Sequence, residues 1–140
     1  MPATLSGMLS MPKQLEYALM VLGDMHGGTP GELFPARALC EKLDIPFDVV
    51  SKALQRMKRA EIVRSVQGKY GGYQVIRDLS HLQLSELADV VVGPNAVATC
   101  LLPGHKCRHS DSCTIRRAVR RLDQRFHALL ADTSVLDLIG

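Results

Sequence analysis

Cys100, Cys107 and Cys113 lie in one segment, CLLPGHKCRHSDSC, with six residues between the first pair and five between the second. Thiolates are soft ligands and strong nucleophiles, so this grouping suits an iron-sulfur centre, a zinc ion or reversible disulfide chemistry. Pro103, Gly104 and several polar residues leave the segment too little apolar content for a core element, and it reads as a loop able to wrap a ligand. His105 and His109 sit among the thiols and compete as further ligands, because His replaces Cys in some metal centres; either one alone reads more readily as a surface loop residue than as a ligand. Cys40 stands apart in ALCEKL and reads as an inert buried thiol.

The rest of the chain must position that loop. With 140 residues, 46% of them hydrophobic, 22% charged and 4% aromatic, it is an ordinary globular composition with an aliphatic core. A domain of this size buries roughly two-thirds of its unfolded surface and folds without covalent staples. No apolar run approaches the ~20 residues that span a bilayer, and MPATLSGMLSMPK lacks the features of a signal peptide. A cytoplasmic protein with no membrane association is expected, where clustered thiols serve as metal ligands or redox sensors rather than structural disulfides. No phosphate loop, dinucleotide fingerprint or nucleophile elbow occurs, so an enzyme is not expected.

Net charge is only +3, yet basic residues are concentrated at Lys52, Arg56, Lys58, Arg59 and Arg64, at Lys69 and Arg77, and at Arg116, Arg117, Arg120, Arg121 and Arg125. Such clusters form a local anion-binding face or a solvated helix face. The spacing of Leu15, Ala18, Leu19, Leu22 and Met25 predicts an amphipathic helix from Pro12 to about His26. A second, short helix is expected from Pro35 as its first residue through Leu43. Asp44-Ile45-Pro46 then breaks the chain, and a third helix places Val49, Val50, Ala53, Leu54 and Met57 inside, with Ser51, Lys52, Gln55, Arg56 and Arg59 toward the other side.

Two short helices with a tight turn form a helix-turn-helix pattern. Ile62–Val66 and Tyr73–Arg77 read as strands around a glycine-rich turn, a hairpin with Lys69 at its tip that matches the wing of a winged helix. A fourth helix starts near Ser85 and stops at Gly93-Pro94. After the cysteine loop, Ile115, Ala118, Val119, Leu122, Phe126, Leu129 and Leu130 define a long amphipathic helix from about Thr114 to Leu130, suited to pairing with a second copy or to packing on its own domain.

The segments EYALMVLGDM, DIPFDVVSKALQRMKRAEIVRSVQGKYGGYQVIRD and LSELADVV, followed by a three-cysteine loop and a long helix, resemble the Rrf-two family of bacterial winged-helix regulators. The resemblance covers nearly everything from Met11 onward and is most specific in SVQGKYGGYQVIR. It implies a mainly α fold with a small β-hairpin wing: residues 1–10 as a disordered extension, 11–93 as the winged helix-turn-helix domain, 94–113 as the cysteine loop, and 114–140 as dimerisation helix and tail. It also implies a homodimer on a roughly palindromic DNA operator, with Ser51, Lys52, Gln55, Arg56, Arg59 and Lys69 facing DNA. In members with three loop cysteines the thiolates hold an iron-sulfur cluster, 2Fe-2S or 4Fe-4S, that controls DNA binding, which implies Cys100, Cys107 and Cys113 as ligands here. Arg116 stands where one relative has a ligating His, whereas Glu16 matches an acidic ligand that other relatives supply across the dimer. Two departures stand out: the first cysteine interval has six residues where five are common, and Gln67 replaces a frequent wing Arg. The alternative is a zinc or thiol-disulfide sensor of the same fold.

Overall fold

The computed structural model describes residues 10–140; most of the expected disordered extension, residues 1–9, lies outside the described residues. Six helices and one hairpin follow in the order α1 (Lys13–His26), α2 (Ala36–Leu43), α3 (Phe47–Arg59), β1 (Val63–Val66), β2 (Gly72–Val75), α4 (Leu84–Val91), α5 (Arg116–Asp132) and α6 (Val135–Ile139). Helix α1 buries Leu15, Ala18, Leu19, Val21, Leu22 and Met25 along one stripe, against Val50, Ala53, Leu54 and Met57 of α3 and Leu84, Leu87, Ala88 and Val91 of α4. Val49, expected on the inner face of α3, is only half-buried because it lies at the margin of the stripe.

Between α2 and α3, Asp44 adopts the left-handed conformation, φ 53° and ψ 54°, which Asp tolerates better than most residues. Ile45 is buried beneath this turn, and Pro46 enters α3 from an extended conformation. Pro35 likewise stands just before α2 rather than as its first turn, with ψ 136°. The Arg37 guanidinium lies 4.2 Å from the Phe47 ring centroid, joining the two helices across their turn.

In the hairpin, β1 and β2 pair antiparallel from Val63 opposite Val75 to Val66 opposite Gly72. Phe34 exchanges both backbone hydrogen bonds with Tyr73, at 2.9 and 2.8 Å. A Cβ at position 72 would come within 2.6 Å of the Phe34 carbonyl carbon, so this close approach requires glycine. Arg77, just past β2, donates to the Ala60 carbonyl at the end of α3 and to Glu86 of α4, both at 2.9 Å. The hairpin is thereby held against the helices at its base.

The chain after α5, expected as a tail, returns to the core. Val135 N–H donates to Leu82 O at 2.8 Å, Leu84 N–H donates to Thr133 O at 2.7 Å, and Val135 is fully buried. Ser134 and Asp137 form a capping box that starts α6. A five-residue helix is too short to show a period in sequence; its capping pair is the signal that was available.

Candidate functional site

On α3 the apolar stripe faces inward and leaves Lys52, Gln55, Lys58 and Arg59 exposed, with Ser51 half-buried. Arg56, Lys58 and Arg59 fall in the last turn, where cations suit the negative end of the helix dipole. Arg56 has an additional partner: its Nη1 donates to the Val91 carbonyl at 2.7 Å. The candidate reading helix is thus tied to the C-terminal end of α4, the point at which the cysteine loop departs. Past β1, Lys69 and Tyr70 form the tip of the wing, and the Arg64 Nε donates to Gln74 Oε1 at 2.7 Å across its strands.

The cysteine loop occupies the stretch between α4 and α5. Cys100 lies in a single 3₁₀ turn, Thr99–Leu101. Cys100 and Cys107 are half-buried and Cys113 is exposed, all as free thiols. Three successive turns are closed by His105 N–H to Leu102 O, Ser110 N–H to Cys107 O and Ser112 N–H to His109 O, at 3.1 to 3.2 Å. The His109 N–H also approaches Cys107 Sγ at 3.4 Å, while the His105 and His109 residues are exposed. Among the described residues no three His, Cys, Asp or Glu side chains gather into a metal site within one chain. Glu16 is on the first turn of α1, paired with Lys13 at 3.0 Å. Cys40, by contrast, is buried, and burial pushes its thiol up against a smaller opposing pull from Arg37.

The loop has a second fixed point that sequence reading missed. Val97 N–H donates to Asp123 Oδ1 on α5 at 2.9 Å, and the same oxygen lies 3.4 Å from His127 Nε2. Asp123 is the one acid in RRAVRRLDQRFHALL, and that isolation was its available signal. The N-terminus of α5 has no acid in its first turn and begins with Arg116 and Arg117, so dipole and side chains are both positive there. Arg116 Nε is buried with no hydrogen-bond partner, three positions beyond Cys113. In donor chemistry, three cysteine sulfurs in one loop and an unpartnered guanidinium N–H that follows them in sequence suit an anionic, sulfur-held group. Along α5 no residue is buried, and Ile115, Leu122 and Leu129 are exposed apolar residues.

The family model described as "Iron-dependent Transcriptional regulator", Rrf2, matches residues 11–140. Protein aau3 of Rhizobium meliloti is 28% identical over 133 residues, covering 94% of this chain and 85% of that protein. The HTH-type transcriptional repressor NsrR of Streptomyces coelicolor is 25% identical over 109 residues, 78% of this chain and 73% of that one. The structure of CymR, the global cysteine regulator of B. subtilis, aligns with a TM-score of 0.70 at 16% identity over 94% of this chain and 97% of that one. That likeness shows the winged-helix fold.

Proposed function

The chain belongs to the Rrf2 family of winged-helix transcriptional regulators, and within it we propose a homodimeric repressor-type regulator whose operator binding is set by an iron-sulfur cluster on Cys100, Cys107 and Cys113. The family consists of DNA-binding regulators, which matches a chain with no expected catalytic constellation. The observation that carries the regulatory reading is the double attachment at the N-terminal end of the loop. Its root is joined to the reading helix through Arg56 and Val91 and to α5 through Val97 and Asp123.

In this reading the exposed apolar stripe of α5 pairs with its copy, and α3 of each subunit enters a major groove. Ser51, Lys52, Gln55 and Arg59 meet bases or phosphates, and Lys69 meets backbone at the wing. Arg56 divides its capacity, since one of its donors already serves Val91. Glu16 of the second subunit is the proposed fourth ligand, released from its exposed pairing with Lys13 at little cost. When bound, a cluster would supply sensitivity to redox state, nitric oxide or iron supply. The loop residues respond by rearranging three weak turns, and Val91 and Val97 pass that change to α3 and α5 through their hydrogen bonds.

Anaerobic purification with visible absorption and iron and sulfide analysis tests this reading, with Cys107→Ala in parallel. A coloured protein containing iron and sulfide, bleached by the substitution, is expected. A colourless, iron-free protein refutes the cluster. A second reading rests on the ungathered thiols of the single chain: a zinc site or a reversible disulfide at the same loop, which zinc analysis and thiol counting would reveal.

A further inference from the structure

The chain has three Tyr and three Phe. Tyr17, Phe34, Phe47 and Tyr73 pack on the core, and Phe126 lines the apolar cavity between the start of α1, the end of α4 and α5. Tyr70 alone stands out in solvent, 84% exposed. The turn that carries it is closed by Gly71 N–H donating to Gly68 O at 3.0 Å, so Lys69 and Tyr70 are its two central residues. Gly68, at φ 111°, meets the backbone demand of the turn; nothing in the hairpin requires an aromatic ring at position 70. The Lys69 ammonium lies 5.6 Å from the centre of that ring, which places a positive charge beside it.

The arm beneath this tip is fastened at its base. Val63 is buried at its base, Ile76 N–H donates to Ile62 O at 2.9 Å, and Arg77 fastens the return strand to Ala60 and Glu86. The chain from Val63 through the end of β1 at Val66 to Lys69 in the turn spans at most roughly 20 Å. Half a turn of B-DNA, the distance from a major groove to the adjoining minor groove, is roughly 17 Å. The minor groove is about 6 Å wide, displays acceptors on A·T pairs and concentrates negative potential where it narrows. A flat ring with a hydroxyl donor, flanked by an ammonium, is complementary to it.

From this the geometry points to Tyr70 as a minor-groove contact that sets sequence preference in DNA flanking the segment read by α3. Its ring lies against deoxyribose and base edges, its hydroxyl donates to an acceptor of an A·T pair, and Lys69 neutralises a neighbouring phosphate. This inference rests on the DNA-binding half of the proposed function and is independent of what the cysteines hold.

The test begins with DNA selected from a random pool by the wild-type protein, and compares wild type, Tyr70→Ala, Tyr70→Phe and Lys69→Ala by fluorescence anisotropy across a salt series. Tyr70→Ala should weaken binding roughly tenfold without changing the salt slope, whereas Lys69→Ala should lower the slope by about one. Tyr70→Phe should keep most of the affinity but lose the preference for A·T over G·C in the flank. The 84% exposure means the helical circular dichroism and melting of all variants should match wild type. Binding by Tyr70→Ala within twofold of wild type, or wild-type indifference to flanking G·C, overturns the assignment. Failure of the wild type to select any DNA overturns it together with operator binding. A colourless protein that still selects DNA overturns only the cluster.

Discussion

Replacing Asp123 with Ala removes the acceptor that holds the root of the cysteine loop to α5. Its carboxylate takes the Val97 N–H at 2.9 Å and is 17% exposed. A hydrogen bond to a charged acceptor contributes about 1.5–3 kcal/mol. The Val97 site is only partly screened from water, which supports the lower end of that range. Opening at Val97 should therefore become easier by about 1.5 kcal/mol, and its amide should exchange with deuterium roughly tenfold faster. Global stability should fall by less, about 1 kcal/mol or below, because the bond anchors a loop rather than the core. Asp123→Asn keeps a carbonyl acceptor and should recover about half of the protection. Residue-resolved exchange by NMR, with the Leu22 amide as a core reference, reads these differences. Equal Val97 protection in wild type and Asp123→Ala, with Leu22 unchanged, would show that α5 does not hold the loop and would remove one of its two attachments.

Arg77→Met should cost about 1–2 kcal/mol in urea unfolding, mostly from the lost bond to Ala60 O, because Glu86 is 45% exposed and its ion pair is screened; a cost equal to that of Glu86→Gln would contradict this division. Lys52→Ala should weaken operator binding at low salt and reduce the salt slope by about one, read by anisotropy titration. Alkylation of the cluster-free protein under native, reducing conditions should label the three loop cysteines faster than Cys40, which should react only on unfolding, since Cys40 is buried with its thiol pushed up by burial; mass spectrometry counts the adducts. Asp78 accepts from Ser80 Oγ, Ser80 N–H and His81, which hold its carboxyl down at about 2. Its contribution to stability is thus fully present above about pH 4 and fades as pH falls through its own midpoint; a carboxyl NMR titration should show that midpoint rising in Ser80→Ala.

Elements with a strong period were legible before any coordinates. Leu15, Leu19, Leu22 and Met25 define α1, Val50, Ala53, Leu54 and Met57 define α3, and the glycines around Lys69 announce the hairpin. Each reports a repeated burial pattern or a backbone conformation that few residues accept. Contacts between distant side chains leave no such trace. Arg56 reads as one more solvated cation of α3, yet it reaches Val91; Asp123 reads as a surface acid, yet it holds Val97. Helix α6 was hidden for a different reason, because Val135 to Ile139 supply little more than one turn. The thiols of the loop were visible by chemistry alone, and Arg116 Nε, an unpartnered donor three residues after Cys113 in sequence, emerges only when burial is known.

The return of α6 also orders events during synthesis. Val135 fills the core against the Leu79–Leu84 segment, so the winged domain is not contiguous in the chain: its final packing residues lie beyond the cysteine loop and α5. A ribosome-bound chain that has finished the reading helix and the wing still lacks this closing piece. Final packing of the helical core therefore waits until the cysteine loop and α5 have been translated, and the loop is always attached by the time Val135 closes the core.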